Sequence, residues 1–77
     1  MPMYKQHIAH KFPILIETDE EGAFILSCPT FRGCRSYGET IEEGMRNIRE
    51  VLEICMEEDP AQHSNRFVEL RELEVSA

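Results

Sequence analysis

One long amphipathic helix, opened by a capping signature and preceded by short glycine-punctuated segments, constrains this 77-residue chain more than any other feature. Thr40-Ile41-Glu42-Glu43 reads as a capping box. The Thr40 hydroxyl is placed to accept from the Glu43 backbone N–H, and the Glu43 carboxylate to accept from the Thr40 N–H. Ile41, Met45, Ile48, Leu52 and Cys55 then recur at helical spacing, with Val51 and Met56 beside them. Gly44 falls on or near that stripe. A glycine there weakens the helix but lets its backbone approach a sheet closely. Glu42–Arg46, Arg46–Glu50 and Arg49–Glu53 are spaced as i,i+4 ion pairs on the outer face. Asp59-Pro60 is expected to close the helix, because a proline restricts the residue before it.

The segments around the helix read as strands. Residues 1–7 form a lead-in. Residues 10–18, HKFPILIET, place Phe12, Ile14 and Ile16 on one strand face. Pro13 has no N–H to give a ladder, so it belongs at an unpaired side or a bulge. Asp19 to Gly22 reads as a turn, with Gly22 free to take positive φ. Residues 23–28, AFILSC, put Phe24, Leu26 and Cys28 on one face and Ala23, Ile25 and Ser27 on the other. Apolar residues therefore occupy both faces of these strands. One helix covers only one face, so the second is expected to meet another copy or a partner. Residues 29–33 are a loop with Gly33 in a tight conformation. Residues 34–37 form a short third strand that Gly38 breaks. A polar loop over residues 61–65 follows the helix. In residues 66–76, RFVELRELEVS, Val68 and Leu70 share one strand face while Leu73 and Val75 lie on the other. A bulge near Arg71-Glu72 reconciles them. The rival is a short helix through Phe67, Leu70 and Leu73, and the β-branched content favours the strand. The order is β-β-β-α-β, an α+β fold in a single domain over residues 1–77.

Charge and composition narrow the function. The net charge is −7. An acidic surface repels phosphate and attracts a basic protein; its plainer role is solubility. So short a chain has a thin core, so a homodimer or higher oligomer is expected. Three cysteines, an odd count without a secretory signal, argue against a disulfide framework and for a reducing, cytoplasmic setting. No apolar run approaches the roughly 20 residues of a membrane helix. The loop at residues 29–33 lacks a phosphate-cradling glycine pattern, so no nucleotide cofactor is expected. His7 and His10 have no companion ligands and read as surface residues instead of a metal site. Asp19 and Asp59, the only aspartates, read as turn and helix-end residues, and the helix glutamates lie mainly on its solvent face. That set does not supply converging carboxylates for a nuclease. Cys28 and Cys55 fall on core faces. Cys34 is the one thiol in a position to react, although packing is the preferred reading.

Taken in order, Gly22-Ala23-Phe24, Pro29, Gly33-Cys34, Gly38, Thr40, Glu43, Asn47-Ile48 and Glu50 resemble the HicB-like antitoxin domain over residues 12–57. Where that family has Glu-Ala early in the helix, this chain has Glu43-Gly44. The resemblance implies a partial ribonuclease-H-like fold. A three-stranded antiparallel meander is crossed by the helix, and a fourth strand returns parallel beside the first. It also implies a non-enzymatic protein of a type II toxin–antitoxin system, which binds and neutralises a small, basic, mRNA-cleaving toxin. Many members carry a C-terminal domain that binds the operator. This chain ends at Ala77 without one, so direct nucleic-acid binding is not expected. Phe31 and Tyr37 are the candidate interface residues, with packing under the loop as the alternative. An orphan homo-oligomeric domain with a structural or small-ligand role is the alternative function.

Overall fold

Asp19 is the point on which the first two strands turn. In a computed structural model, which describes residues 10–58 and 66–76, its carboxylate accepts from the backbone N–H groups of Glu21 and Ala23, each at 2.9 Å. Gly22 supplies the positive φ of 92° that closes the turn. The turn joins β1 (Leu15–Thr18) to β2 (Phe24–Ser27). They run antiparallel, with Thr18 opposite Phe24 and Leu15 opposite Ser27. β3 (Arg35–Gly38) pairs with the far side of β2, placing Tyr37 opposite Ile25 and Gly38 opposite Phe24. The sheet order is therefore β1-β2-β3. Pro13 precedes the ladder, so its missing N–H costs no strand bond. The long helix α1 (Ile41–Glu58) completes an α+β architecture.

Alternation along β2 decides which sheet face is covered. Leu26 and Ile48 are fully buried, and Cys28, Phe31 and Cys34 join them in the core. Phe24, Val51, Leu52, Cys55 and Met56 pack around that centre. The helix lies chiefly on β3, then on β2, and leaves β1 largely open. Ile16 on β1 and Met45 on α1 accordingly remain 43% exposed. Gly44 fulfils its expected role: a Cβ there would lie 2.4 Å from Leu26 Cδ1, so the helix backbone rests on the sheet's central side chain.

Three expectations are corrected. Gly38 ends β3 from within as its last residue. The pairs Glu42–Arg46, Arg46–Glu50 and Arg49–Glu53 do not close; the ion pair seen among the described residues joins Arg71 to Glu69. Exposed pairs gain little against the rotamer freedom they give up. The fourth strand is not formed: residues 66–76 carry neither strand nor helix. Their apolar side chains stay exposed, from Phe67 at 45% to Leu73 at 87%. A strand needs a ladder partner, and the change of alternation at Arg71-Glu72 denies this segment one continuous apolar face. His7, residues 1–7, the Asp59-Pro60 helix end and the loop 61–65 lie outside the described residues.

Candidate interaction surface

The residues that carry the sequence pattern assemble around the junction of β3 and α1. The Glu43 N–H donates to Thr40 Oγ1 at 3.0 Å, the first half of the capping box. The Glu43 carboxylate reaches one residue further back than expected and accepts from the Glu39 N–H at 2.5 Å. Gly38 lies directly against Gly44, which holds the following N–H over the first helical turn. A Cβ on Gly38 would meet Gly44 N at 2.4 Å and Thr40 O at 2.8 Å. Asn47, one of the pattern residues, adds a tie whose partner the sequence did not name: its Nδ2 donates to the Tyr37 carbonyl at 2.7 Å. Its place in the ordered pattern marked the residue, but nothing local to it marked the carbonyl it reaches. Gly22, Pro29, Gly33, Thr40 and Glu43 thus sit at turns and the helix start, and Gly33 takes a positive φ of 77°.

The loop over residues 29–33 folds inward. Cys28 N–H donates to the Cys34 carbonyl at 3.0 Å, closing it across its base. Phe31 is buried, with its ring 5.6 Å from that of Phe12, and Phe12 stacks on His10 at 6.2 Å. Phe31 therefore takes the packing role and is not an exposed anchor. Tyr37 is 55% exposed. Its register with Ile25 and Glu17 puts it on the sheet face turned away from the helix, where Leu15 also lies. The Tyr37 ring stands in solvent on this face, while Leu15 borders a small cavity with residues 66–70.

Cys34 takes the packing role that the sequence favoured over reactivity. It is 2% exposed, and burial, followed by the neighbouring Cys55 and Cys28 thiols, pushes its pKa up to about 12. A thiol held protonated is a poor nucleophile. The sequence separates these cysteines, and only the fold gathers them. All three are free thiols. Among the described residues, no group of three or more His, Cys, Asp or Glu side chains is arranged to hold a metal.

A second feature flanks the helix. An apolar groove of about 460 Å³ runs between the chain before β1 and α1. Phe12, Ile14, Met45, Leu52 and Met56 line it, together with the charged Arg46, Arg49 and Glu53.

In this arrangement the motif residues shape the turns, the helix start and the close approach of β3 to α1. The sequence pattern of the family described as "HicB_like antitoxin of bacterial toxin-antitoxin system" matches residues 12–75. The chain belongs to the HicB-like antitoxin family. Among its relatives, a UPF0150 protein of Synechocystis sp. is 43% identical over 65 residues, 84% of this chain and 94% of the relative. A UPF0150 protein of Archaeoglobus fulgidus is 29% identical over the same length and the same shares. One from Helicobacter pylori is 45% identical over 42 residues, 54% of this chain and 57% of the relative. No solved structure matches. HicB-like membership supports an antitoxin-type, binding role for this domain. No helix among the described residues is long and apolar enough to cross a membrane.

Proposed function

We propose that this HicB-like domain neutralises a small, basic, mRNA-cleaving toxin in the cytoplasm by covering its RNA-binding surface. The observation that carries the reading is the family match over residues 12–75. The net charge of −7 supports it, because an acidic domain steers toward a basic partner and away from RNA itself. Gly22, Pro29, Gly33, Cys34, Gly38, Thr40 and Glu43 hold the scaffold, and Tyr37 with its open sheet face meets the toxin. The meander and crossing helix form a partial ribonuclease-H-like fold that serves as a binding platform, without nuclease chemistry.

The test is capture of the tagged protein from its native host, followed by an RNA-cleavage assay of whatever small basic protein is recovered. Stoichiometric inhibition of that cleavage by this chain is expected. Recovery of no basic partner, or cleavage that proceeds unchanged in its presence, overturns the reading. An orphan homo-oligomeric domain would then be favoured, a role the exposed apolar segment over residues 66–76 also fits.

A further inference from the structure

Three thiols far apart in the chain meet at the base of the loop over residues 29–33. Ser27 pairs with Arg35 at the end of the β2–β3 ladder, so the next residues outward, Cys28 and Cys34, stand opposite one another. The bond from the Cys28 N–H to the Cys34 carbonyl holds them there. Opposed residues project from one sheet face, here the face that Leu26 shares. Cys55 comes from α1, two helical turns beyond the buried Ile48 and on the same side. It packs against the core that contains Cys28 and Cys34. The Cys34 thiol hydrogen-bonds with both of the others. The three differ in access. Cys28 and Cys34 are each 2% exposed, whereas Cys55 is only partly buried. An oxidant arriving from solvent therefore reaches Cys55 first.

We propose that Cys55 and Cys34 form a modification site for hydrogen peroxide, with Cys55 the thiol that meets the oxidant and Cys34 the thiol that resolves it into a disulfide. This inference goes beyond the toxin reading and holds or fails independently of it. In the first step the Cys55 thiolate sulfur attacks one peroxide oxygen. The O–O bond breaks, Cys55 becomes a sulfenic acid, and the hydroxide released takes up the proton that Cys55 gave up. In the second step the Cys34 sulfur attacks the Cys55 sulfur. The S–S bond forms, the S–O bond breaks, and the hydroxyl leaves as water with the Cys34 proton. Two thiols lose two electrons and one peroxide gains them, giving one disulfide and two waters. Cys34 resolves because its own thiol hydrogen-bonds with Cys55. The order of steps follows from the surroundings. Burial and the two neighbouring thiols keep Cys34 protonated, which bars it from the first step. Oxidation makes Cys55 a neutral group, which removes its share of that repulsion, and the departing hydroxyl accepts the Cys34 proton. The link ties α1 to the residue before β3 and restricts the unfolded chain between them.

The test treats the reduced, folded full chain with hydrogen peroxide, blocks the remaining thiols by alkylation and maps the peptides by mass spectrometry. Two of the three thiols are expected to escape alkylation until a reductant is added, and one linked peptide should join Cys34 to Cys55. The melting temperature of the oxidised protein should rise by about 10 °C and return on reduction. Cys55→Ser, folded by circular dichroism, should leave Cys28 and Cys34 open to alkylation after the same treatment. The wild-type map decides without the variant. Three thiols still alkylated after peroxide overturn the inference. So does a sulfenic or sulfinic acid at Cys55 with no link, or a disulfide that omits either Cys34 or Cys55. A Cys28–Cys34 link that forms in Cys55→Ser as fast as the wild-type link also overturns it, since Cys55 would then not be the thiol that meets the oxidant.

Discussion

Gly38 and Gly44 are required for different reasons. At Gly38 a side chain would strike the helix backbone, which cannot step aside, at 2.4 Å from Gly44 N. At Gly44 it would strike the end of the Leu26 side chain, which has some freedom even in a full core. Gly38→Ala should therefore destabilise by about 1–3 kcal/mol or more, the usual range for overpacking. Gly44→Ala should cost less, because the added helix propensity, about 1 kcal/mol, offsets part of the clash. Urea titration of the two variants reads the order directly. Cys34 gives a pH signature. Its folded pKa, pushed up to about 12, lies above its ordinary value of 9.0. The neutral thiol's contribution to stability is thus complete below about pH 9 and is lost as pH rises toward 12. The slope is at most about 1.4 kcal/mol per pH unit. Cys34→Ala should flatten the alkaline limb of the stability profile, measured by denaturant midpoints between pH 8 and about pH 11.

The helix and the sheet face carry separate duties. Thr40 caps α1 with one hydrogen bond at 3.0 Å, and its loss should cost about 1 kcal/mol in Thr40→Ala. Thr40→Ser keeps the hydroxyl and should recover most of that loss in the same thermal melt. The helix does not cover the outer sheet face, which is the contact surface proposed for the toxin. Tyr37→Ala should leave the unfolding free energy within about 0.5 kcal/mol of wild type. It should weaken toxin binding about tenfold or more, the effect of removing an aromatic anchor. Titration calorimetry against the captured toxin separates these outcomes, and an unchanged affinity would move the contact face away from Tyr37. These elements were legible in the sequence because each carries a local signal. Asp19 and Gly22 define the turn, alternation defines β2, and Thr40 with Glu43 marks the helix start. Phe31 stayed open between interface and packing because exposure is not a local property: a loop phenylalanine reads the same whether its ring points out or lies against Phe12.

Over the whole molecule, the charge of −7 acts at a distance that individual contacts do not reach. Association with a basic toxin should slow markedly as ionic strength rises from about 0.01 M to about 0.15 M, where the screening length shrinks from roughly 30 Å to 8 Å. Dissociation should change much less. Stopped-flow mixing at the two salt concentrations measures both, and a salt-independent association rate would remove charge steering from the mechanism. The sequence alone determined the three strands and the helix in their order, the turn glycines, the helix start and the family, since all of these follow from residues near one another in the chain. Tertiary structure decided the rest. It brought Cys28, Cys34 and Cys55 together, tied Asn47 to the Tyr37 carbonyl, and buried Phe31. It also left residues 66–76 without a ladder partner. Each of these depends on which surfaces meet across the fold, and whether a strand can form there depends on a second backbone lying alongside it.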